Sequence, residues 1–305
     1  MKFLNKTIYS ILSQANFYME LLIIYDNNDE IELNYIKSFT GKFENIKIIN
    51  NKKNKGLIYS YSIEVLNSLG EYILLMEPGY TLAKENTLSF LYNNAKYYDL
   101  DILEFNLLIN EHEKIKINSL SLYKCPHFEL NDNLKIIKNN NKYKDFDQEK
   151  ELLFNKLIKT DVFKKIILEY KLNKCNTTIF NYYEDILLFL LKKYKLKFKH
   201  IDEIGVIQNK NIIDHSLLKN ITNNRKQIYN DSLFYINFLY DNSNNSIVDK
   251  KYVVQEFINL LSIIYNNCIR ITDNSIKLLE KFIDCKFIDK EYKKELQFLY
   301  NSLIN

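Results

Sequence analysis

The sequence predicts an α/β domain followed by a helical C-terminal appendage, on two observations. Over the first hundred residues, short apolar runs alternate with segments of helical periodicity, and short polar turns connect them. This alternation is typical of a parallel sheet with helices on its faces. From about residue 212 onward the pattern is helical to the end. We therefore expect an α/β domain over residues 1–210 and a helical region over residues 211–305.

Four apolar runs in the first hundred residues are the predicted strands. Each is short and nearly continuous, as in a strand that is buried on both faces. A turn signal, Pro78-Gly79, stops the third run. The four runs are Glu20–Tyr25, Ile46–Ile49, Tyr72–Met76 and Asp101–Leu108.

The segments between these strands carry helical spacing. In the first, Ile8, Ile11 and Leu12 share one face. The polar turn Asp26–Asp29 provides an N-cap for the second, and Gly70 closes the third. The predicted helices are Lys6–Gln14, Glu30–Phe39, Gly56–Leu69 and Asn86–Tyr97.

The middle and the end of the chain give less regular patterns. We expect an edge strand, a long helical stretch broken near Thr160, an amphipathic helix, and two short strands around Gly205. In that order, these elements are Lys114–Tyr123, Gln148–Tyr170, Tyr182–Tyr194 and Lys197–Gln208. Two later segments, Tyr252–Tyr265 and Ser275–Phe287, carry apolar residues at three- and four-residue spacing.

Composition argues against several classes of function. Lys and Arg number 42 and Asp and Glu 38, and no basic block stands alone, so no nucleic-acid partner is predicted. The four cysteines fit neither a zinc knuckle nor a disulfide framework, which favours free thiols in a reducing compartment. No apolar stretch reaches the roughly 18 residues of a transmembrane span, and the first residues lack a signal-peptide h-region, so neither a span nor a signal peptide is expected. We expect a cytoplasmic protein.

Two acidic residues stand where an α/β sheet binds ligands. In sheets of this kind the ligand lies at the carboxyl ends of the strands. Asp26 follows the first predicted strand and Glu77 follows the third. The pattern therefore predicts a ligand site that includes these two carboxylates.

Six segments within residues 1–210 follow the order and spacing of one family's motifs. They are Tyr9–Gln14, Glu20–Asp29, Asn54–Leu57, Gly70–Leu74, Asn155–Leu157 and Glu184–Ile186. The series resembles family 2 glycosyltransferases of the GT-A fold. The resemblance implies a Rossmann-like mixed sheet that binds a nucleotide-diphospho-sugar, and a chain that transfers the sugar.

The sequence departs from the family pattern at four places. The family normally opens with a strand ending P-x-Y-N, but here the first predicted helix begins close to Met1. Tyr25 stands at the first of two acidic positions, and Ser60–Ser62 replaces an A-R-N triplet. The D-x-D position reads Glu77-Pro78-Gly79, so one carboxylate stands where two or three are usual.

The resemblance implies roles for four residues. Asp185, in the position of the family's catalytic aspartate, would take the proton of the acceptor hydroxyl in an inverting transfer. Glu77 would contact the diphosphate and hold a divalent cation, Mn²⁺ or Mg²⁺. Asp26 would contact the nucleobase, and Glu184 would join the donor site. The expected partners are a UDP-, GDP- or dTDP-sugar and a glycan or other hydroxyl acceptor.

Other interpretations remain open at this point. Asp26, Glu184 and Asp185 are also suitable helix caps, and Glu77 is also suited to a plain strand-ending turn. Because the acidic motif is eroded, the chain is alternatively an inactive GT-A-like scaffold that partners an active transferase. A third interpretation is a peripheral membrane protein that acts on lipid-linked glycans, which the tyrosine-rich C-terminal helices suggest.

Overall fold

A computed structural model describes residues 2–15, 18–26, 29–41, 43–111, 114–118, 134–136, 153–175, 183–209 and 225–242, with five single helical positions beyond residue 242. The chain divides into two compact units. The first comprises residues 1–125 and 130–217, and the second comprises residues 126–129 and 218–305. The domain boundary expected near residue 210 stays a prediction.

The described helices follow the predicted periodicity closely. In the first unit they are α1 Lys2–Leu12, α2 Glu30–Thr40, α3 Leu57–Asn67, α4 Thr87–Tyr97, α5 Thr160–Glu169, a short 3-10 helix Leu172–Lys174, and α6 Tyr183–Lys192. In the second unit, helix α7 spans Arg225–Asn242 and buries Tyr235, Ile236 and Leu239. The predicted helices Tyr252–Tyr265 and Ser275–Phe287 lie outside the described residues, apart from the helical Glu280. None of the described helices has the length and apolar character needed to cross a bilayer.

The strands of the first unit form a mixed sheet and a separate pair. They are β1 Leu21–Tyr25, β2 Ile46–Asn50, β3 Tyr72–Leu74, β4 Tyr80–Leu82, β5 Ile102–Glu111, β6 Lys114–Asn118, β7 Leu134–Ile136, β8 Lys156–Lys159 and β9 Leu196–Asn209. Strands β1 and β2 pair in parallel. The larger sheet has the order β3-β8-β5-β9-β4, with β6 on β5 and β7 on β9. Its pairs are antiparallel except for the parallel pairs β5–β9 and β7–β9.

Helix α1 is held against strand β4 by side-chain hydrogen bonds. The Thr7 hydroxyl donates to the Tyr80 carbonyl at 2.6 Å. The Gln14 amide donates to the Lys84 carbonyl at 2.9 Å, and its oxygen accepts from the Leu88 N–H at 2.9 Å. These bonds satisfy backbone groups in and just after β4, where the sheet ladder ends. They fix the first helix over the strand that follows Glu77.

A buried ionic cluster joins the central strands. Lys156 Nζ lies 3.0 Å from Glu104 Oε2, and the side chains of both residues are completely buried. His200 Nδ1 lies 2.9 Å from the other oxygen of Glu104. Burial alone would raise the pKa of Glu104, but the charges of Lys156 and His200 outweigh it and lower that pKa. The cluster connects β5, β8 and β9.

Two predictions of secondary structure were wrong. The stretch Gln148–Tyr170 was expected to be helical, yet Lys156–Lys159 is strand β8, because its apolar residues pair with both β3 and β5. Residues 148–152 lie outside the described residues. Around Gly205 two strands were expected, but β9 is continuous, with register shifts opposite Phe105 and Asn106. A bulge keeps the ladder paired, and Gly205 leaves room for the Phe105 ring, which a Cβ would meet at 2.4 Å.

The alternation of strands and helices in the first hundred residues favoured a parallel sheet, whereas the larger sheet is mixed, as the family resemblance implied. Strand β3 pairs antiparallel with β8, and no described strand pairs β3 with β1. The segment that returns after residue 153 supplies the antiparallel neighbour. Because sequence periodicity reports burial and not strand direction, the alternation of strands and helices could not reveal this pairing.

Candidate active site

Asp26 stands at the end of β1 and organises the loop that leads into α3. Its carboxylate accepts hydrogen bonds from the Lys55 N–H at 3.0 and 3.2 Å, the Ser60 hydroxyl at 3.0 Å and the Asn51 amide at 3.1 Å. Gly56 follows with a φ of 87°, a conformation that side chains disfavour. The predicted motif Asn54–Leu57 therefore forms the tight entry to α3, and Asp26 holds it.

Glu77 follows β3 and is held by two tyrosines. Its Oε1 accepts a hydrogen bond from the Tyr61 hydroxyl at 2.8 Å and another from the Tyr183 hydroxyl at 2.6 Å. Tyr61 belongs to α3, and Tyr183 is the first residue of α6. One carboxylate oxygen thus connects the end of a strand with two helices.

The two tyrosine rings stack on each other. Their centroids lie 5.2 Å apart, with an interplanar angle of 16°, and both residues are buried. Burial raises the pKa of both phenols, and the neighbouring Glu77 carboxylate raises it further. Each hydroxyl therefore stays protonated at neutral pH and donates its hydrogen bond to Glu77.

The start of α6 has a second anchor in Glu184. Its Oε2 accepts a hydrogen bond from the Leu153 N–H at 3.0 Å, so it ties the helix to the segment that enters β8. Asp185 lies one residue further, in the first turn of α6. The side chain of Asp185 is outside the described part of the chain. The predicted E-D pair thus opens a helix, as expected from the sequence.

A cavity of about 590 Å³ links Asp26 with Glu77. Its walls are mainly apolar residues of β1 and of the segment Ile73–Met76, and α3 contributes Ser60, Tyr61 and Glu64. Burial raises the pKa of the Glu64 carboxyl to about 8. Asp26 and Glu77 therefore lie on one cavity, and Tyr183 links the start of α6 to the same place.

Asp26, Glu64 and Glu77 all line this cavity, but they do not come together as a cluster that could hold a metal ion. Within the described ranges, no three His, Cys, Asp or Glu side chains lie together as a metal site. Glu77 Oε1 already accepts two phenol hydrogen bonds. Such a donor set fits only a cation that takes most of its ligands from phosphate oxygens and water, as Mg²⁺ often does.

Sequence reasoning did not assign a role to Tyr61 or Tyr183. Two signals were nevertheless present: Tyr61 stands where the family pattern has an arginine, and Tyr183 directly precedes the E-D pair. Glu77 is partly buried, and the two phenols supply hydrogen-bond donors to its Oε1.

The fold and the site can now be set beside known proteins. A model of glycosyl transferase family 2 matches residues 1–154, about half of the chain. The chain belongs to glycosyl transferase family 2. No curated protein sequence matches it.

Crystal structures of S. aureus TarS are similar to this family 2 chain. For TarS residues 1–349, the similarity covers 99% of this chain and 84% of that one, at 13% identity and a TM-score of 0.55. For the same TarS residues in complex with UDP, the coverage and identity are unchanged and the TM-score is 0.60. A third TarS structure gives 10% identity and a TM-score of 0.56, over 99% of this chain and 51% of that one. The predicted GT-A fold, with its mixed sheet, is confirmed.

Proposed function

We propose that this family 2 member transfers a sugar from a nucleotide-sugar donor to a hydroxyl acceptor, with inversion at the anomeric carbon. The observation that carries the proposal is the fixed position of Glu77. It ends a strand on the cavity that also holds Asp26, and Tyr183 ties it to the start of α6. This arrangement puts a carboxylate at the sheet edge where α/β folds bind their ligands.

In the proposed reaction the acceptor hydroxyl oxygen attacks the anomeric carbon of the donor. The bond between that carbon and the diphosphate oxygen breaks, and the nucleoside diphosphate leaves with the electron pair. Asp185 takes the proton of the hydroxyl. Its place in the first turn of α6 favours an ionised carboxylate, because the N-terminal end of a helix is partly positive.

Asp26 and Glu184 would shape the donor site indirectly, because each carboxylate holds a backbone N–H of a neighbouring segment. Asp26 accepts several hydrogen bonds from the protein, enough to occupy a carboxylate's usual acceptor sites. We therefore propose that it shapes the donor pocket through the loop Asn51–Gly56, and direct contact with a nucleobase stays a prediction. Glu184 would hold the segment that enters β8 in place beside the donor site, through its hydrogen bond with the Leu153 N–H. UDP is the first nucleotide to test, because TarS was solved with UDP, and GDP and dTDP follow.

A divalent cation, Mn²⁺ or Mg²⁺, stays part of the proposal. Glu77 would be its protein ligand through Oε2, because Oε1 is held by Tyr61 and Tyr183. When bound, the cation would supply charge stabilisation to the leaving diphosphate. The acceptor, the cytoplasmic location and a peripheral contact with a membrane stay predictions.

One observation favours the alternative of an inactive scaffold. The carboxylate of Asp26 and one oxygen of Glu77 already have their hydrogen bonds within the protein. A GT-A relative that lost activity would gain stability from such internal bonds, since each hydrogen bond of a partly buried acceptor adds to the free energy of unfolding. Measuring whether the chain binds nucleotide sugars distinguishes the transferase from the inactive scaffold.

The test is isothermal titration of the full chain with UDP-, GDP- and dTDP-sugars, with and without Mn²⁺. The transferase proposal expects saturable binding of at least one donor, tighter with the metal. Absence of binding for the whole panel would reject the transferase and leave the scaffold. Donor binding without release of nucleoside diphosphate, either in water alone or with a panel of acceptors, would also favour the scaffold.

A further inference from the structure

Two phenol hydroxyls converge on one oxygen of Glu77 from two different helices. Tyr61 reaches it from α3 at 2.8 Å, and Tyr183 reaches it from the first position of α6 at 2.6 Å. Short hydrogen bonds from a hydroxyl to a carboxylate are about twice as strong as bonds between neutral groups. Since the rings also stack at 5.2 Å, neither hydroxyl can move without disturbing the other.

This contact fixes the relative placement of two groups that the proposed reaction uses. Glu77 stands at the end of β3, and Tyr183 lies two residues before Asp185 in the first turn of α6. A second hydrogen bond, from the Leu153 N–H to Glu184, restrains the first turn of α6 from rotating about the bond between Tyr183 and Glu77. The first turn of α6 is therefore held at two consecutive residues.

We propose that Tyr61 and Tyr183 are positioning residues that hold Glu77 and the first turn of α6 at a fixed separation, and that they leave only Oε2 of Glu77 for a ligand. The proposal rests on the proposed transferase function for its kinetic consequence, but the mechanical coupling does not depend on it. Bound donor would then meet a carboxylate and a helix start that are already in place, which lowers the ordering cost of the reaction.

Simple packing is the competing explanation, and Phe substitutions separate the two. A Phe ring keeps the stack and its volume and removes only the hydroxyl. The matched control is Tyr72→Phe, since Tyr72 is the first residue of β3, the strand that precedes Glu77. Tyr72 lines the same cavity, but its hydroxyl donates to the Leu100 carbonyl at 2.9 Å and not to Glu77.

The experiment measures hydrogen exchange by mass spectrometry in peptides covering Leu187–Leu190. Within α6 these amides bond to the carbonyls of residues 183–186, so their exchange reports whether the first turn is held. Tyr183→Phe and Tyr61→Phe should each speed exchange there by about tenfold, and Tyr72→Phe should not, since tenfold corresponds to the loss of one typical hydrogen bond. In a Glu77→Ala background, adding Tyr183→Phe should cause no further change.

The kinetic arm uses whichever donor the wild-type chain turns over. Tyr183→Phe should lower kcat by about tenfold to a hundredfold, with a smaller change in the donor KM, because misplacement costs rate more than binding. Equal exchange in Tyr183→Phe and the wild type would overturn the proposal. An exchange effect of the same size with and without the Glu77 carboxylate would overturn it too. If the wild type binds no nucleotide sugar, the transferase fails, and the exchange cycle still decides whether the coupling exists.

Discussion

Glu77 and Tyr183 are 106 residues apart in sequence and are joined by a hydrogen bond of 2.6 Å. The bond connects the end of β3, where the family pattern has its acidic motif, with the helix that carries the E-D pair. Two tyrosines supply hydrogen bonds to this carboxylate. Helices α3 and α6 therefore both hold Glu77 through their tyrosine side chains.

The assignment of Asp185 as base predicts a large loss of turnover in Asp185→Asn. The amide cannot take a proton from the acceptor, so the rate should fall by about 10² to 10⁴ while the thermal melting curve stays close to that of the wild type. Asp161→Asn is the matched control, since Asp161 is an exposed aspartate in the first turn of α5. Wild-type turnover in Asp185→Asn would remove this residue from the mechanism.

The contacts of Asp26 predict that Asp26→Ala destabilises the loop into α3. The change leaves donors from Asn51, Lys55 and Ser60 without their acceptor, which should cost about 1–3 kcal/mol of the free energy of unfolding. Urea denaturation measures the loss. Asp29→Ala removes only the N-cap of α2 and should cost about 1 kcal/mol.

If Asp26 also shapes the donor pocket, the two variants will differ in a second measurement. Asp26→Ala should weaken donor binding in titration calorimetry, and Asp29→Ala should not. Unchanged donor affinity in Asp26→Ala would restrict Asp26 to a structural role in the loop.

Much of the fold follows from the sequence, but the pairing of the strands does not. The apolar runs that become β1, β2, β3 and β5 are short and bounded by turns, so local pattern is enough to find them. The partner of β3 is β8, whose residues come more than 80 positions later, and no local signal specifies it. Strand β8 was mistaken for helix because its four residues, two of them lysines, show no strand alternation, and only the distant partners β3 and β5 place them in the sheet.

The site was predictable in its acidic positions and not in their partners. The rule that ligands bind at strand ends indicates Asp26 and Glu77, and both lie on one cavity. The tyrosines that hold Glu77 come from α3 and α6, and their convergence depends on how those helices pack. Helical spacing predicts that Tyr61 and Tyr183 face the interior, but it does not tell a packing ring from a hydrogen-bond donor.

The buried cluster of Glu104, Lys156 and His200 predicts a strong effect of removing its cation. Lys156→Met removes the ammonium group that pairs with the fully buried Glu104 carboxylate, which should cost about 3–5 kcal/mol. Lys159→Met is the control on the same strand. Its partner Asp99 is largely exposed, so that loss should stay below about 1 kcal/mol. Similar urea midpoints for the two variants would contradict a structural role for the cluster.

The raised pKa of Glu64 predicts that stability falls as pH increases from about 4.5 to about 8. In that interval the folded protein keeps the proton and the unfolded chain has lost it, so unfolding releases a proton and becomes easier at higher pH. The slope contributed by this one group is at most about 1.4 kcal/mol per pH unit. Glu64→Gln should reduce the decline in urea denaturation series at pH 5, 6.5 and 8. An identical decline in the variant would show that other groups cause it.

If Glu77 belongs to a nucleotide-sugar site, as proposed, its charge affects the rate at which nucleoside diphosphate is released. Nucleoside diphosphate release from the donor that the wild type binds should fall on the order of a hundredfold in Glu77→Gln, because the amide keeps an oxygen for the two tyrosines but loses the charge. The control is Glu71→Gln. Glu71 is an exposed carboxylate that pairs with Lys96 just before β3, so this variant should release nucleoside diphosphate at the wild-type rate. Equal release by the wild type, Glu77→Gln and Glu71→Gln would contradict the account.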